Sequence, residues 1–516
     1  MPWEIDVAAV MASSLLPLWL NGGRIREGQA WLCSVIDGEN GSGPITSPEV
    51  YVRALTDKAM LDIWAGTPSR MDQAQHALQI ARQIDDPLLL ARALTACGFI
   101  ASNTDDPQVA EQYFGEGVPL IQALGDKALL NQILLWRANA AIIAGDPVAA
   151  LAAAVEGSDL RISVVDQANG RDWLGVFGWA RLMQGDLADA AGLFRALVAD
   201  GESVHDVIWK VVGLQGLGFT FAYQGDVVAA RAEAEAAIAG AADFGDYVLG
   251  LGASTLAVAA LAAGDVTTAR QASEAAYRQL GVQQATAWTT YARTADAELA
   301  GGDLTEARRW ADLGVGSTAG WHRMVALTTR GRVAMAQDQS DQAMRDLHDA
   351  LVLAVEIGAR IGLPDILECV AELTVDHAEA ARLYGAADAI RQRVGVVRFA
   401  VHQPRYEAAV ASRRDAMGAH GFAAAWAEGA DLSDEEAIAY AQRGRGERKR
   451  PATGWGSLTP SEREVVKLVC EGLGNKDIAT RLFVSPRTVQ THLTHVYNKL
   501  GLASRIQLIQ DAARQG

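Results

Sequence analysis

The chain has 516 residues, half of them apolar and 21% charged, with 50 glycines and only 6% aromatic residues. This balance excludes disordered, collagen-like and disulfide-scaffold chains, and at about 150 residues per domain it fits some three domains or one long repeat array. The net charge is −17, but it is unevenly placed: from Arg443 onward 13 basic residues face 6 acidic ones, while the rest of the chain carries 32 and 56. An acidic body with a small basic tail is the asymmetry expected of a nucleic-acid-binding module.

An apolar stretch from Ala8 to Leu20 follows Glu4 and Asp6, and no Lys or Arg precedes Arg24. A secretory signal needs a positive start, so a packed helix is expected here. Cys33, Cys97, Cys369 and Cys470 are far apart and form no C-x-x-C pair. That spacing suits buried thiols in a reducing cytoplasm better than disulfides or zinc. Tyr247 to Gly264 is an uncharged run of 18 residues, near the lower limit for a membrane span. Its three glycines and its register with the repeat described next predict a buried repeat helix and no membrane association.

A Gly-Asp or Asp-Asp step recurs along the body, with small or apolar residues at fixed offsets behind it. Gly185-Asp186 precedes Ala190, Phe194 and Leu197, and Gly225-Asp226 precedes Ala230, Ala234 and Ala237. Gly145-Asp146, Gly264-Asp265 and Gly302-Asp303 follow the same scheme, as do Asp105 and Asp338, so that successive anchors lie 36 to 40 residues apart. Glycine tolerates the left-handed cap that ends one helix, and aspartate caps the next. The offsets place the small residues on one face of the second helix. Two helices and two turns fill such a period, which predicts an α-solenoid over residues 1–394. The pattern resembles tetratricopeptide repeats, although their usual period is shorter, about 34 residues. Weaker turns stand at Gly22-Gly23 and Gly66, and Ala380, Tyr384 and Ala387 repeat the offsets in a last helix over 375–394. A solenoid groove can hold a protein or small-molecule effector; equally, its alanines, leucines and tryptophans can simply be core.

Residues 395–442 read as a helical extension of the array, with a capping signal at Ser433-Asp-Glu-Glu436. The stretch 443–455 is a basic, glycine-containing linker, either a hinge or a phosphate-contacting arm.

Residues 456–516 break into four short helices. Thr459-Pro460-Ser461-Glu462 forms a capping box for the first, which buries Val465, Val466, Leu468 and Val469. The second runs from about Asn475 to Leu482, Phe483-Val484 makes the turn, and Ser485 caps the third with Pro486 just inside. That third helix, Pro486 to Leu500, has an apolar stripe at Val489, Leu493, Val496 and Leu500 and a polar face with Arg487, Gln490, Thr491, Thr494, His495 and Asn498. The last helix, Ala503 to Arg514, is expected to pack Ile506 and Ile509 inward. Two helices joined by a tight turn, the second displaying groups that reach base edges, form a helix-turn-helix.

Leu458-Thr-Pro-Ser-Glu-Arg-Glu-Val-Val466, Gly474-Asn-Lys-Asp-Ile-Ala479, Ser485-Pro-Arg-Thr-Val-Gln-Thr-His492 and Lys499-Leu-Gly-Leu-Ala-Ser-Arg505 resemble the LuxR-type helix-turn-helix domain. Ala380-Ala-Arg-Leu-Tyr-Gly-Ala-Ala-Asp-Ala-Ile390 and Phe422-Ala-Ala-Ala-Trp-Ala-Glu-Gly429 resemble the region before that domain in large LuxR regulators. Those regulators usually carry an ATPase ahead of tetratricopeptide-like repeats. This chain has no G-x-x-x-x-G-K-[S/T], and its Gly-rich loop from Gly38 to Gly43 lacks the phosphate-binding lysine. It also has Gln490 where family members often have lysine, exchanging a charge for an adenine reader.

The resemblance implies that Gln490, Thr491 and Thr494 face base edges, with Lys476, Arg487, Thr488, Lys499 and Arg505 at the backbone or flanking. The plainer reading of Thr491 and Thr494 is an exposed helix face without a partner. His492 is more often a packed histidine than a reader, and with His495 it lacks a third metal ligand. No H-E-x-x-H or G-x-S-x-G occurs, and Gly213 to Gly218 lies at helical repeat positions. The expectation is therefore an all-α, cytoplasmic transcriptional regulator without catalysis, cofactor or metal, bound to double-stranded DNA as a homodimer. The alternative is an interaction scaffold, or a truncated regulator, with weak DNA binding.

Overall fold

Each period of the sequence is one antiparallel helical hairpin. The structure, a computed structural model, describes residues 2–21, 24–37, 47–65, 71–103, 107–158, 167–241, 244–280, 288–442, 454–458, 460–482, 486–502 and 504–515. Among these every regular element is helical, and the chain divides into two compact units, Met1–Ile438 and Ala439–Gly516.

The first unit opens with α1 (Pro2–Ser14), α2 (Leu16–Asn21), α3 (Ile25–Asp37), α4 (Pro48–Trp64) and α5 (Met71–Ala81). The hairpins that follow pair α6 (Pro87–Ser102) with α7 (Pro107–Leu124), α8 (Lys127–Ile143) with α9 (Pro147–Ser158), and α10 (Gln167–Gln184) with α11 (Leu187–Ser203). Next come α12 (Val207–Gln224) with α13 (Val227–Ala241), α14 (Asp246–Ala263) with α15 (Val266–Leu280), α16 (Trp288–Ala300) with α17 (Leu304–Ser317), and α18 (Gly320–Ala336) with α19 (Ser340–Glu356).

Turn chemistry sets this layout. Gly145, Gly185, Gly225, Gly264 and Gly302 all take positive φ, between 73° and 90°. The aspartate behind each glycine then caps the next helix: Asp146 accepts from the N–H groups of Val148 and Ala149 at 3.1 and 2.9 Å, and Asp303 from Glu306 at 3.0 Å. Asp186 departs from this rule and makes no cap bond. Its carboxylate instead receives Arg360 at 3.1 Å and Arg181 at 3.4 Å. At Asp338 the aspartate itself occupies the left-handed position, with φ of 58°.

The offset residues form the core. Ala190, Phe194, Leu197, Ala230, Ala234, Ala237, Ala343, Leu347 and Ala350 are all fully buried. α14 is long and apolar enough to cross a membrane, yet 78% of it is buried in the array, where it packs on α12, α13, α15 and α16. It is a core helix.

Late elements lie across the turns of the middle hairpins, which the repeat pattern alone does not announce. The Trp321 N–H donates to the Gly145 carbonyl at 2.8 Å, and the Val397 N–H to the Tyr223 carbonyl at 2.8 Å. Arg360 holds Asp186, and Ala400 lies against Gly264. The array thus curls until residues 319–400 close over the turns at 145, 185, 225 and 264.

Beyond a short turn at Arg360–Gly362 follow α20 (Leu363–Leu373), α21 (His377–Val394), α22 (Gln403–Ala430) and α23 (Asp434–Gln442). α21 starts later than the expected 375, because Asp376 caps it through the N–H groups of Ala378 and Glu379, both at 2.9 Å. α22 breaks at Gly418, whose φ of 72° is not helical. Ser433 and Glu436 make the expected reciprocal cap, at 3.0 and 3.2 Å. α21 and α22 cross closely: a Cβ on Gly385 would lie 2.0 Å from the Trp426 carbonyl oxygen. Gly385 belongs to the first, and Trp426 to the second, of the segments that resemble the large LuxR regulators.

In the second unit α24 (Pro460–Cys470), α25 (Asn475–Arg481), α26 (Pro486–Leu500) and α27 (Arg505–Gln515) surround Leu458, Val465, Val466, Leu468, Val469, Ile478, Val489, Leu493, Val496 and Leu508. The α27 expectation needs correction. Leu508 is fully buried, whereas Ile509 is 37% exposed. The reason is a hydrogen bond from Trp455 Nε1 to Asp511 at 2.8 Å, which turns that side of α27 inward. The side chains of Ile506, Arg487 and Asn498 lie outside the described residues, as do Asp105, Thr459, Ser485, the turn Phe483-Val484, linker residues 443–453, the loop 38–43 and the turns at Gly22-Gly23 and Gly66.

Candidate nucleic-acid interface

α26 is rotated by its own core. Val489, Leu493 and Val496 are buried to within 2%, and helical geometry then sends Gln490, Thr491 and Thr494 to the opposite side, where all three are exposed. The Thr494 hydroxyl donates to the Gln490 carbonyl at 3.0 Å, an i−4 bond within the helix. The amide of Gln490 is held from outside the helix: its Oε1 accepts from Asn475 Nδ2 at 2.9 Å. Asn475 Oδ1 in turn accepts from Arg505 Nη1 at 2.9 Å, and Arg505 also donates to the Leu473 carbonyl. A chain of hydrogen bonds therefore runs from α27 through the start of α25 to the exposed face of α26.

The residues expected at the DNA backbone divide into two groups. Lys476 is exposed on the first turn of α25, and Thr488 is half-buried at the start of α26. Lys499 and Arg505 are engaged inside the domain instead. Lys499 Nζ lies 2.7 and 2.8 Å from the two carboxylate oxygens of Glu462, which is only 2% exposed. Arg481 and Lys467 make looser pairs with Glu471 and Glu464, each at 3.5 Å; such exposed pairs contribute little. His492 and His495 are half-buried, and among the described residues no group of three or more metal-ligating side chains occurs.

Sequence reasoning found the exposed face of α26 but missed Asn475 and Glu462 as its supports. Glu462 did carry a signal as a capping acid, yet nothing in the spacing points to Lys499, 37 residues away.

α25 and α26, the second with its polar face outward, are the helix pair expected of a helix-turn-helix, and residues 456–512 match the family described as "Bacterial regulatory proteins, luxR family". The C-terminal unit is a LuxR-type helix-turn-helix DNA-binding domain, carried behind an α-solenoid of tetratricopeptide-like hairpins. Over 524 residues the chain is 48% identical to the Mycobacterium bovis protein named "Putative HTH-type transcriptional regulator Mb0914c", and 47% identical to Rv0890c of Mycobacterium tuberculosis. The alignment takes in 99% of this chain but 59% of either relative, so the chain spans about three fifths of their length. Oxygen regulatory protein NreC of Staphylococcus aureus is 45% identical over 58 residues, 11% of this chain and 27% of NreC. Among solved structures, a Rap protein complexed with competence and sporulation factor superposes with a TM-score of 0.55 at 11% identity, over 69% of this chain and 98% of that one. That likeness is one of fold.

Proposed function

We propose that the chain is a cytoplasmic transcriptional regulator that reads a specific duplex sequence by laying α26 in the major groove. Gln490, Thr491 and Thr494 face the base edges in this reading, and Lys476, Arg487 and Thr488 meet the backbone phosphates. Lys499 and Arg505, as internal clips, position the reader. The observation that carries the reading is the outward face of α26, whose three polar side chains are exposed while the opposite stripe is locked into the core. The protein binds as a homodimer on paired half-sites, the usual arrangement for helix-turn-helix domains. The repeat array is its sensing arm, and its concave surface takes an effector or partner protein.

Selection from random duplex DNA tests this. The full-length protein is expected to enrich an inverted-repeat motif that a Gln490→Ala, Thr491→Ala double variant loses. Binding without an enriched motif, falling steeply with salt in both proteins, would overturn the reading in favour of a scaffold.

A further inference from the structure

α16, the start of α17, α18, α20, α21 and the start of α22 line a cavity of about 340 Å³. A single water needs only about 15 Å³, and cavities of roughly 300 Å³ upward hold small organic ligands. One wall is apolar, with Leu299, Leu304 and Met335. The opposite wall carries charge, but its guanidinium groups are already committed. Arg332 donates to Asp365 at 2.7 Å, Arg398 to Glu368 at 2.6 and 2.8 Å, and Arg405 to Glu372 at 2.8 Å.

Two lining groups differ. Asp296 is 1% exposed; burial pushes its carboxyl above the usual range, and apart from the Thr329 hydroxyl that faces it neither oxygen has a hydrogen-bond partner. Arg293 and Arg332 stand 3.9 Å away, close enough to balance its charge but not to bond it, and the His402 ring lies at 3.8 Å. Tyr384 is likewise 1% exposed, and its hydroxyl has no partner. Burial also holds the His402 imidazole well below its ordinary range, so it stays neutral at physiological pH. Buried polar atoms are normally hydrogen-bonded, and two unpaired ones on the wall of a ligand-sized cavity mark where a ligand's donors belong.

We propose that this cavity binds an uncharged small molecule, which places N–H or O–H donors on Asp296 and Tyr384 and its apolar body against Leu299, Leu304 and Met335. A cation at Asp296 would meet Arg293 and Arg332 directly. An anion would meet Asp296, while Arg332, Arg398 and Arg405 are already bonded to carboxylates and Arg293 donates to the Tyr223 hydroxyl. The proposal rests on the array as sensing arm only for its regulatory meaning; binding itself is independent of DNA.

Ligand-observed NMR on the full-length protein tests it with benzamide, benzamidine and benzoate, which share a ring and differ in charge and donors. Benzamide is expected to bind saturably in the millimolar range, at least tenfold better than either charged analogue. Tyr384→Phe keeps the ring that stacks on Trp426 and is expected to weaken benzamide severalfold. Ala336→Leu, which fills the cavity, is expected to abolish binding, with circular dichroism confirming that both variants fold. The proposal is overturned if benzamide does not bind, if benzamidine or benzoate binds as well, or if binding survives both substitutions. The DNA selection is scored separately, so a failure there is distinguishable from a failure here.

Discussion

In the proposed reading, Gln490 enters the groove with its amide already oriented. Asn475 occupies its Oε1, which turns the amide's N–H donors outward. A glutamine free to rotate can accept from adenine N6 and donate to N7; one held this way favours positions that offer acceptors in the major groove. Asn475→Ala releases the amide. We expect discrimination at that base position to fall by about 1 kcal/mol, roughly five- to tenfold in relative affinity. The slope of affinity against salt should not change, because no phosphate contact is lost. Competition binding with single-base variants at two salt concentrations checks both statements; a changed slope would mean that Asn475 contacts the backbone. The exposure of Gln490 was legible from the 4-3-4 spacing of the apolar stripe on α26. Its clamp was not, because Asn475 and Arg505 come from other helices and follow no period.

At the scale of elements, what the sequence encodes locally is recovered and what depends on packing is not. The α26 boundaries, the Gly-Asp turns and the Ser433 cap all follow from short-range rules. The rotation of α27 does not, because it is fixed by Trp455, 56 residues before its partner Asp511. The clip between α24 and α26 is of the same kind. Glu462 is buried, so removing its cation leaves a carboxylate without compensation. Lys499→Met is therefore expected to destabilise the C-terminal domain by about 3 kcal/mol. Its DNA binding should recover below the lowered melting temperature, with an unchanged salt slope. Thermal melting of the domain's signal, together with binding at low temperature, checks this. A normal melting temperature with a salt slope reduced by about 1 would instead make Lys499 a phosphate contact.

For the first unit as a whole, the question is what the closure of the solenoid contributes. A repeat array gains its stability mainly from neighbour contacts, yet here Trp321 bonds to Gly145, far outside the neighbouring hairpin. Two glycines separate the terms. Gly145 and Gly302 share nearly the same backbone, with φ of 73° and 83°, so alanine at either suffers left-handed strain of about 1 kcal/mol. Around Gly302 nothing lies within 4 Å of an added Cβ, whereas at Gly145 that atom would stand 2.6 Å from the Trp321 backbone nitrogen. Gly302→Ala should therefore cost about 1 kcal/mol, and Gly145→Ala a further 1–3 kcal/mol as Trp321 is pushed off its carbonyl. Urea unfolding gives the two costs, and hydrogen exchange at the Trp321 amide identifies the contact, since it should accelerate only in Gly145→Ala. Equal costs and unchanged exchange would mean that the late segment rests on the turns without holding them, leaving stability to the repeats alone.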